Sequence, residues 1–510
     1  TVSTSSSQTA NLDSGVSNTY LGGAFTFSIN TGTANVTNIK VSNNGTAGNL
    51  SDIRLYYDTI GDGYGGAESC FNTICTDGGG GTLGTGIAGS LAMTSGNTYY
   101  IYVIADIPNT VAGGKTIDLQ ITNPSTDIAT DATNTDTNAK NITGSTTIRP
   151  NVTSYVNSTD GSLTDGAREG HTITINGAGF GTTCDAVNNK VEIGAYALPC
   201  SGATFNNNSI SIIASSTIPD NNNGGTGANG LRVTIGSTAD DAYQTFYVYP
   251  TITSLSVPTA VPDAAREYLA SDSDGLITVN GNHFGTASTT NPLTILGVNT
   301  SGYGVWSDTS VTNVQIPVSI ANNSYTGSIV LSRNDNKTNT YSGFRILPRI
   351  SSTSPVNLKG GRGDTISIIG DHLCQGASCP TSFSAANSVN FNGGSVTSGA
   401  STWTDTSIPS IVIPATANDG NLNITSNTSY TSNNLTYDVK FAPTVSDTGR
   451  LPANVATGQS KNLVLTGSTF SDGTDGDAQS DSEWQVDQEG TFATPEWTDT
   501  VSAVTSATVN

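Results

Sequence analysis

Short runs of alternating hydrophobic and polar residues dominate the chain and predict β-strands. In Ile173-Thr-Ile175 and Leu231-Arg-Val-Thr-Ile235, every second side chain points to one face, as in a strand with one buried side. Turn-forming Gly, Asn and Asp residues separate such runs at roughly 8–12-residue spacing, which is typical of β-sandwiches. No apolar stretch reaches the roughly 18 residues of a membrane-spanning helix. We therefore predict an all-β chain that does not insert directly into a membrane.

A glycine-containing strand pattern recurs four times, at intervals of about a hundred residues. Its first two copies are Ile173-Thr-Ile-Asn-Gly-Ala-Gly-Phe-Gly181 and Ile277-Thr-Val-Asn-Gly-Asn-His-Phe-Gly285. The key glycines are Gly177, Gly281, Gly370 and Gly467, and prolines mark the same period at Pro150, Pro250, Pro348 and Pro443. We expect each key glycine to provide a positive φ or a bulge, after which a hydrophobic residue turns into the core. A period of this length indicates whole domains in series.

Further segments align inside these units and point to a known family. Trp306-Ser-Asp-Thr-Ser310 and the residues up to Pro317 match Trp403-Thr-Asp-Thr-Ser407 and the residues up to Pro414. In the order of its proline, glycine strand and tryptophan segment, the region 150–442 resembles the IPT/TIG family of immunoglobulin-like domains, and the start of another unit follows from 443. The resemblance implies a fold found in bacterial surface proteins, adhesins, some carbohydrate enzymes and receptor ectodomains, without implying one activity.

The predicted architecture is a series of tandem immunoglobulin-like β-sandwich domains preceded by a distinct N-terminal β-sandwich. The N-terminal domain is expected to span 1–147. Three immunoglobulin-like repeats are expected over 148–249, 250–347 and 348–442, and we refer to them as the first, second and third repeats. Residues 443–510 are expected to form an incomplete repeat or a strand-exchanging segment.

The short last segment leaves two explanations open. Either the chain stops within a domain, or the missing strands come from another molecule. In the second case residues 1–10 or 500–509 would pair with a neighbouring copy of the chain. A head-to-tail contact of this kind does not close, so it would produce an open polymer.

The charge of the chain excludes some classes of partner. Only 11% of the residues are charged, and the formal net charge is −22. A negative field of this size repels phosphate backbones and anionic lipid, so we expect no nucleic-acid partner and no docking on an anionic membrane. Low charge combined with 35% hydrophobic residues indicates a folded rather than a disordered chain.

The six cysteines fall into three close pairs, each inside one predicted domain. The pairs are Cys70 with Cys75, Cys184 with Cys200, and Cys374 with Cys379. Four of these residues lie among Gly, Ser and Thr rather than in apolar runs, and no pair has the CxxC spacing of zinc or redox sites. We therefore expect three disulfide bonds instead of six free thiols. This implies an oxidising, extracellular location.

The chain contains little that could perform catalysis. Its three histidines are His171, His283 and His372, and the last two occupy the same position in two repeats. A position repeated in separate domains indicates a turn or a packing role instead of a shared ligand site. No GxSxG, HExxH or phosphate-loop motif occurs, and no carboxylate pair stands out as that of a glycosidase. We therefore expect neither an enzyme nor a resident cofactor.

Calcium is the one metal for which the sequence contains weak candidates. Acidic residues crowd one segment of the last region: Asp472, Asp475, Asp477, Asp481 and Glu483. Lesser candidates are Asp272 with Asp274 and Asp58 with Asp62. Carboxylate oxygens suit Ca²⁺, yet no segment follows the twelve-residue calcium loop. Asp is equally an ordinary turn residue, so the clusters have a structural explanation as well.

The tripeptide Arg362-Gly-Asp364 spells an integrin-type motif. Such triplets arise by chance, and the neighbouring glycines already explain this one as a turn. We expect a structural role for it.

These features favour a structural or adhesive protein of a bacterial cell surface. The leading hypothesis is the repeating subunit of an extracellular filament, with copies of itself as partners and surface glycans as a second class of partner. The alternative is a non-catalytic spacer or binding module of a secreted carbohydrate-active, adhesin or phage-tail protein. The chain has four Trp residues, and Trp306 and Trp403 are expected in cores, so an exposed aromatic platform for sugars is not evident.

Overall fold

The computed structural model describes most of the chain, in two compact units that comprise Thr1–Thr251 and Ile252–Asn510. The residues outside the description are 49, 220–221, 257–266, 270–275, 301, 318–319, 321–325, 357–358, 375–377, 429, 441–443, 446–462, 469–482, 487–496, 501–505 and 510. Among the described residues, no helix is long and apolar enough to span a membrane.

The N-terminal domain is built from short strands and one helical turn, α1 (Pro124–Asp127). Its strands are β1 (Val2–Ser5), β2 (Ser7–Gln8), β3 (Asn11–Asp13), β4 (Thr19–Tyr20), β5 (Ala24–Ser28), β6 (Thr33–Lys40), β7 (Ser42–Asn43), β8 (Ser51–Asp58), β9 (Ser69–Cys70), β10 (Gly81–Thr82), β11 (Gly86–Thr94), β12 (Thr98–Ala105), β13 (Thr116–Ile117), β14 (Leu119–Ile121), β15 (Ile128–Thr130), β16 (Lys140–Asn141), β17 (Thr143–Gly144) and β18 (Thr146–Arg149).

The largest sheet of this domain has the strand order β1-β5-β12-β8-β10, with β4 and β9 at its margins. A second sheet has the order β11-β6-β15. Alternation places Phe25, Phe27, Ile101 and Val103 on the inner side of β5 and β12, where all four are buried in one hydrophobic core. The loop that follows β8 belongs to the site described below.

The three repeats have separate hydrophobic cores, over 152–248, 252–346 and 350–439. The first repeat contains β19 (Asn151–Asn157), β20 (Gly166–Ala167), β21 (Thr172–Ala178), β22 (Lys190–Ile193), β23 (Tyr196–Ala197), β24 (Thr204–Asn206), β25 (Ser209–Ile213), β26 (Gly224–Gly225), β27 (Leu231–Ile235), β28 (Thr238–Ala239) and β29 (Phe246–Val248), with a 3-10 turn at Gly227–Asn229. The second contains β30 (Thr251–Ser256), β31 (Glu267–Leu269), β32 (Leu276–Asn282), β33 (Leu293–Ile295), β34 (Val298–Asn299), β35 (Ser310–Gln315), β36 (Thr326–Ser332) and β37 (Thr338–Leu347). The third contains β38 (Arg349–Ser354), β39 (Lys359–Gly361), β40 (Thr365–Asp371), β41 (Ser388–Asn392), β42 (Gly394–Val396), β43 (Ser407–Val412), β44 (Asn418–Ser426), β45 (Tyr430–Thr431) and β46 (Leu435–Lys440).

The repeats share one topology. In each, the strand after the proline pairs with the glycine strand, which pairs with the next long strand: β19-β21-β25, β30-β32-β35 and β38-β40-β43. A short strand lies between the proline strand and the glycine strand in sequence. It belongs to the opposite sheet, where it pairs in parallel with the last strand of the repeat, as β20 with β29, β31 with β37 and β39 with β46. Two sheets, with the first part of the chain passing from one sheet to the other in this way, form an immunoglobulin-like sandwich. The predicted all-β fold class of tandem immunoglobulin-like sandwiches is therefore confirmed.

The last region is described only as backbone strands. They are β47 (Thr444–Val445), β48 (Leu463–Ser468), β49 (Glu483–Val486), β50 (Trp497–Thr500) and β51 (Ser506–Val509). The order β47-β48-β51 repeats the three-stranded sheet of the other units, and β49 pairs with β50.

Both segments that the sequence analysis offered as exchanged strands are paired within their own chain. β1 pairs with β5, and β2 pairs with β17 in the N-terminal domain. At the other terminus β51 pairs with β48. Either segment would have to leave its own sheet before it could pair with a neighbour, and strand donation from 1–10 or 500–509 stays a prediction.

The key glycines of the repeats have a different role from a positive φ. A Cβ on Gly177 would overlap the carbonyl oxygen of Asn151 in the adjacent strand, and Gly370 has the same relation to Arg349. The register shifts at these points, so the bulge alternative holds. The positive φ lies two residues later, at Gly179 (72°), His283 (57°) and His372 (51°).

All six cysteines form disulfide bonds, in the pairs that sequence proximity suggests: Cys70–Cys75, Cys184–Cys200 and Cys374–Cys379. The bridge between Cys184 and Cys200 closes the longest loop, with a sequence separation of 16 against 5 for the other two. Each bridge therefore ties a loop inside one region and joins no two domains.

The N-terminal domain and the first repeat contact each other within the first compact unit. Arg149 forms ion pairs with Asp13 of the N-terminal domain and Asp241 of the first repeat. Beside it Asp240 is buried, and its carboxylate accepts hydrogen bonds from the backbone N–H groups of Val152 and Asp241. Burial raises the pKa of Asp240 to about 6, and the nearby Asp13 adds to the effect.

Candidate ligand-binding site

An open pocket of about 430 Å³ lies on the N-terminal domain, where the loop 59–68 connects β8 to β9. The loop is rich in glycine, so it turns back over the edge of the sheet beside β4 and β12. The residues that line the pocket are Tyr20, Asp58, Ile60, Asp62, Gly63, Tyr64, Gly65, Ala67 and Glu68. A cavity of this volume lies within the range of small-ligand sites.

Four tyrosine rings form a cluster at the pocket, with Tyr64 at its centre. The ring of Tyr64 lies 5.9 Å from that of Tyr20, 5.2 Å from that of Tyr56 and 6.3 Å from that of Tyr102. Tyr20 and Tyr102 meet edge to face at 5.8 Å. Such separations and tilts are favourable for aromatic pairs, so contacts among the four rings stabilise their arrangement.

Hydrogen bonds position three of these tyrosines. The hydroxyl of Tyr102 donates to Asp58 Oδ1 at 3.1 Å, and the hydroxyl of Tyr20 donates to the carbonyl of Gly23 at 2.7 Å. The hydroxyl of Tyr56 donates to the carbonyl of Cys75 at 3.1 Å. The Cys70–Cys75 disulfide therefore lies directly behind the cluster, and Cys70 pairs with Tyr56 across β8 and β9.

The loop itself is held by two carboxylates. Glu68 accepts hydrogen bonds from the backbone N–H groups of Gly65 at 2.5 Å and Gly66 at 2.7 Å, one on each oxygen. Asp58 Oδ1 also accepts from the N–H of Gly61. Gly61 has a φ of 77°, and a Cβ there would collide with the ring of Tyr100. Glycine is therefore required at this turn.

The ionisable groups of the pocket differ in the direction of their pKa shifts. Burial raises the pKa of Tyr20 to about 12, and the charge of Glu68 contributes. Burial and the neighbouring Tyr56 likewise raise the pKa of Tyr64, and burial with the Asp58 hydrogen bond raises that of Tyr102. For Glu68, burial raises the pKa, but the backbone N–H groups of residues 65–68 together outweigh it and lower the pKa. The phenols therefore stay neutral while Glu68 stays ionised.

The pocket is negative. It is lined by the three acidic side chains Asp58, Asp62 and Glu68, and none of its nine lining residues is Lys, Arg or His. The sequence analysis named Asp58 and Asp62 as a lesser calcium pair, and both do line this pocket. In the described part of the chain, however, neither belongs to a group of three carboxylates close enough to share a metal ion.

The acidic group that does converge is Asp52, Asp77 and Asp106, whose carboxylate oxygens lie within 4.8 Å of one another. The guanidinium of Arg54 occupies this position, since its Nη2 lies 2.9 Å from Asp106, 3.1 Å from Asp52 and 3.6 Å from Asp77. Arg54 is only 2% exposed. The chain therefore neutralises this cluster with its own cation.

The other predicted calcium residues lie outside the described residues. These are Asp472, Asp475, Asp477 and Asp481, together with Asp272 and Asp274. The side chain of Glu483, on β49, is likewise outside the description. A calcium site in these segments stays a prediction.

The histidines are not brought together. His283 and His372 are buried in separate repeats, each in the left-handed conformation of a tight turn. His171 lies next to Asn157 in the first repeat, with Nδ1 3.0 Å from the amide nitrogen, and burial lowers its pKa. Their positions agree with turn and packing roles.

The Arg362-Gly-Asp364 tripeptide forms a turn that binds its own domain. Arg362 Nε donates to the carbonyl of Ala417 at 2.8 Å, and Nη2 donates to Asn418 at 2.9 Å. The carboxylate of Asp364 accepts from the N–H of Gly361. Both charged groups therefore stabilise the turn.

Sequence reasoning missed the tyrosine cluster because it looked for tryptophan. The chain has 18 Tyr against four Trp. Tyr56 and Tyr102 lie in the strands β8 and β12, but Tyr64 is isolated in a glycine-rich loop, and Tyr20 is distant in sequence. A tyrosine inside a loop of glycines and acids was the available signal, since loops of this kind commonly carry binding residues.

No family model matches the chain, and no curated protein matches it. Among solved structures, the surface glycan-binding protein PbSGBP-B from Prevotella bryantii is 14% identical, with a TM-score of 0.18 over 36% of this chain and 41% of that one. An auxiliary nutrient binding protein from Bacteroides ovatus is 12% identical, with a TM-score of 0.14 over 55% and 54%. The N-terminal eight Ig domains of Down Syndrome Cell Adhesion Molecule are 9% identical, with a TM-score of 0.14 over 86% and 49%. The chain thus spans about two fifths to one half of those structures, and the TM-scores are too low to inform function.

Proposed function

We propose that the chain is a non-catalytic structural and adhesive protein of an extracellular bacterial surface, with its binding site in the N-terminal domain. The observation that carries this proposal is the pocket of about 430 Å³ lined by Tyr20, Tyr64 and three acidic side chains. By contrast, Trp403 is buried in the core of its repeat, and Trp306 packs against the core of the second repeat. These two tryptophans therefore stabilise their repeats, whereas Tyr20 and Tyr64 of the N-terminal domain line an open pocket.

The repeats supply the structural part of this function. We propose the boundaries 148–249, 250–347 and 348–442 for three IPT/TIG-like domains after an N-terminal domain over 1–147. The shared strand order, the bulge at Gly177 and Gly370, and the tryptophan segments support this assignment. The three disulfide bonds support an oxidising, extracytoplasmic location, since such bonds rarely persist in a reducing cytosol.

Glycans are the proposed class of partner. Tyrosine faces pack against the apolar faces of sugar rings, and carboxylates accept hydrogen bonds from sugar hydroxyls. Both kinds of group line the pocket side by side. The −22 net charge adds specificity, because it disfavours adsorption to acidic surfaces that would compete with a specific ligand.

The test is binding of the full chain to an array of cell-surface glycans and polysaccharides, with Tyr64→Ala as the pocket variant. Tyr303→Ala is the matched control, because Tyr303 is partly exposed in the second repeat, far from the pocket in sequence. We expect a restricted set of glycans to bind, and the pocket variant to lose at least about tenfold in affinity, as for removal of an aromatic anchor. Equal binding by the two variants would refute the pocket as the adhesive site.

A second candidate function is the subunit of an extracellular filament. The observation that favours it is the series of immunoglobulin-like units with separate hydrophobic cores, since each such unit offers its own surface for contact with further copies. Electron microscopy of the full chain at increasing concentration tests this. Single particles at all concentrations would leave the spacer or binding-module alternative.

A further inference from the structure

The chemistry of the pocket selects one kind of ligand group. We propose that the Tyr20–Tyr64 pocket binds an alkylammonium group, carried either by an amino sugar or by a quaternary ammonium compound. This inference rests on the proposed function, since it names the ligand class of the same site. It goes further, because a glycan-binding site could equally prefer neutral or acidic sugars.

The first argument is charge. Asp58, Asp62 and Glu68 line the pocket without a basic residue, so the field inside it attracts cations and repels carboxylates, sulfates and phosphates. Asp62 forms no hydrogen bond with another described residue. Its carboxylate is therefore available to a ligand without loss of an internal contact.

The second argument is the contrast with the neighbouring acidic cluster. Asp52, Asp77 and Asp106 are neutralised from within by Arg54, at 2.9–3.6 Å. Arg54 does not line the pocket. The pocket acids have no such internal counter-ion among the described residues, which leaves that role to a ligand.

The third argument is the aromatic wall. A cation over the face of a tyrosine is attracted by the ring quadrupole, and cages of aromatic residues with acidic neighbours recognise alkylated ammonium groups. Tyr20 and Tyr64 line the pocket with centroids 5.9 Å apart, and Tyr56 and Tyr102 support them from behind. Because burial raises the pKa of Tyr20 and Tyr64, the phenols remain neutral.

The fourth argument distinguishes an organic cation from calcium. Calcium takes six to eight oxygen ligands at about 2.3–2.6 Å. Both oxygens of Glu68 already accept backbone N–H groups, and Asp58 Oδ1 accepts the hydroxyl of Tyr102 and the N–H of Gly61. Because these oxygens already accept hydrogen bonds, the carboxylates provide negative charge but few free ligands for Ca²⁺. The open volume of the pocket accommodates a methylated nitrogen.

The experiment is isothermal titration of the full chain at low ionic strength with four small probes. Choline and glucosamine carry the ammonium group, while 3,3-dimethyl-1-butanol and N-acetylglucosamine are their uncharged counterparts. We expect each cation to bind at least about tenfold more tightly than its uncharged counterpart, in line with a desolvated cation–π contact. The ratio of the affinities for choline and glucosamine decides between a quaternary ammonium compound and an amino sugar as the source.

Two variants connect the binding to the pocket. Asp62→Asn removes one charge and no internal hydrogen bond, and we expect it to weaken cation binding about three- to tenfold, as for loss of one close charge at the surface. Asp371→Asn, in the third repeat, is the matched control and should leave binding unchanged. Tyr64→Ala should abolish the preference for the charged probes, and amide exchange of β12 reports whether the domain stays folded.

Each outcome has one meaning. Equal affinity for charged and uncharged probes overturns the alkylammonium assignment, while glycan binding that depends on Tyr64 still supports the proposed function. Binding of calcium chloride alone that persists in Tyr64→Ala and excludes choline also overturns the assignment, in favour of a metal. Failure of all four probes together with an array that shows no Tyr64-dependent glycan would refute both proposals.

Discussion

The substitution Gly177→Ala tests the account of the recurring glycine. A Cβ on Gly177 would overlap the carbonyl oxygen of Asn151, and it would lie 3.0 Å from the carbonyl carbon and 2.5 Å from Cζ of Phe180. Two of these atoms belong to the backbone of the paired strand β19, which cannot rotate away. Phe180 is fully buried, so it has no free space to move into.

The expected cost is at the upper end of overpacking in a core, about 3 kcal/mol. For a compact unit of this size, that corresponds to a fall of roughly 6–12 °C in the unfolding temperature. The assay is scanning calorimetry of the full chain, with hydrogen exchange of the β21 amides to assign the affected transition. The expected result is early exchange of β21 in Gly177→Ala.

The matched control is Gly161→Ala in the same repeat. No heavy atom lies within 4 Å of a Cβ built there, and the φ is not positive. Restricting the unfolded chain should make this change neutral or stabilising by up to about 1 kcal/mol. If Gly177→Ala is as well tolerated as Gly161→Ala, the close approach of strands does not explain the glycine, and the reasoning fails.

Two further predictions concern the disulfide bonds and a buried carboxylate. Replacing Cys184 and Cys200 by Ser should cost about 3 kcal/mol, against about 2 kcal/mol for either shorter bridge, because the longer loop loses more chain entropy when closed; equal losses in chemical denaturation would contradict this order. The pKa of Asp240 is raised to about 6 by burial, so its native form binds a proton more tightly than the unfolded chain. Stability should therefore rise by about 1 kcal/mol, after allowance for solvent screening, as the pH falls from 7 to 4.5. The measurement is the difference from Asp240→Asn, since His171, with its lowered pKa, affects both proteins equally; parallel pH profiles would rule out this role for Asp240.

The strands of the N-terminal domain show which structural features the local sequence determines. Runs of β-branched and aromatic residues coincide with β5, β6, β8 and β12, because burial of alternate residues leaves a period of two in the sequence. The repeat period likewise placed the glycine strands β21, β32, β40 and β48 correctly. These features depend on residues close in sequence.

The binding pocket depends on contacts that no local pattern contains. Tyr20 and Tyr64 are separated by more than forty residues, and they meet because β4 and β8 both pair with β12. The sequence shows Asp58 and Asp62 as an acidic turn, but the residues that surround them in the fold determine what their carboxylates can bind. Beside them, Arg54 pairs with Asp52, Asp77 and Asp106, none of which lines the pocket, and it forms no ion pair with Asp58 four residues further along β8.

The sequence by itself therefore determined the all-β class, the tandem repeats and the cysteine pairs, because alternation, period and proximity are properties of the linear chain. The tertiary structure decided three other points. It placed the positive φ at Gly179 instead of Gly177, it paired β1 and β51 within their own chain, and it assembled four tyrosines into one cluster. Each of these depends on which strands lie side by side, and strand pairing is settled by burial of the whole domain.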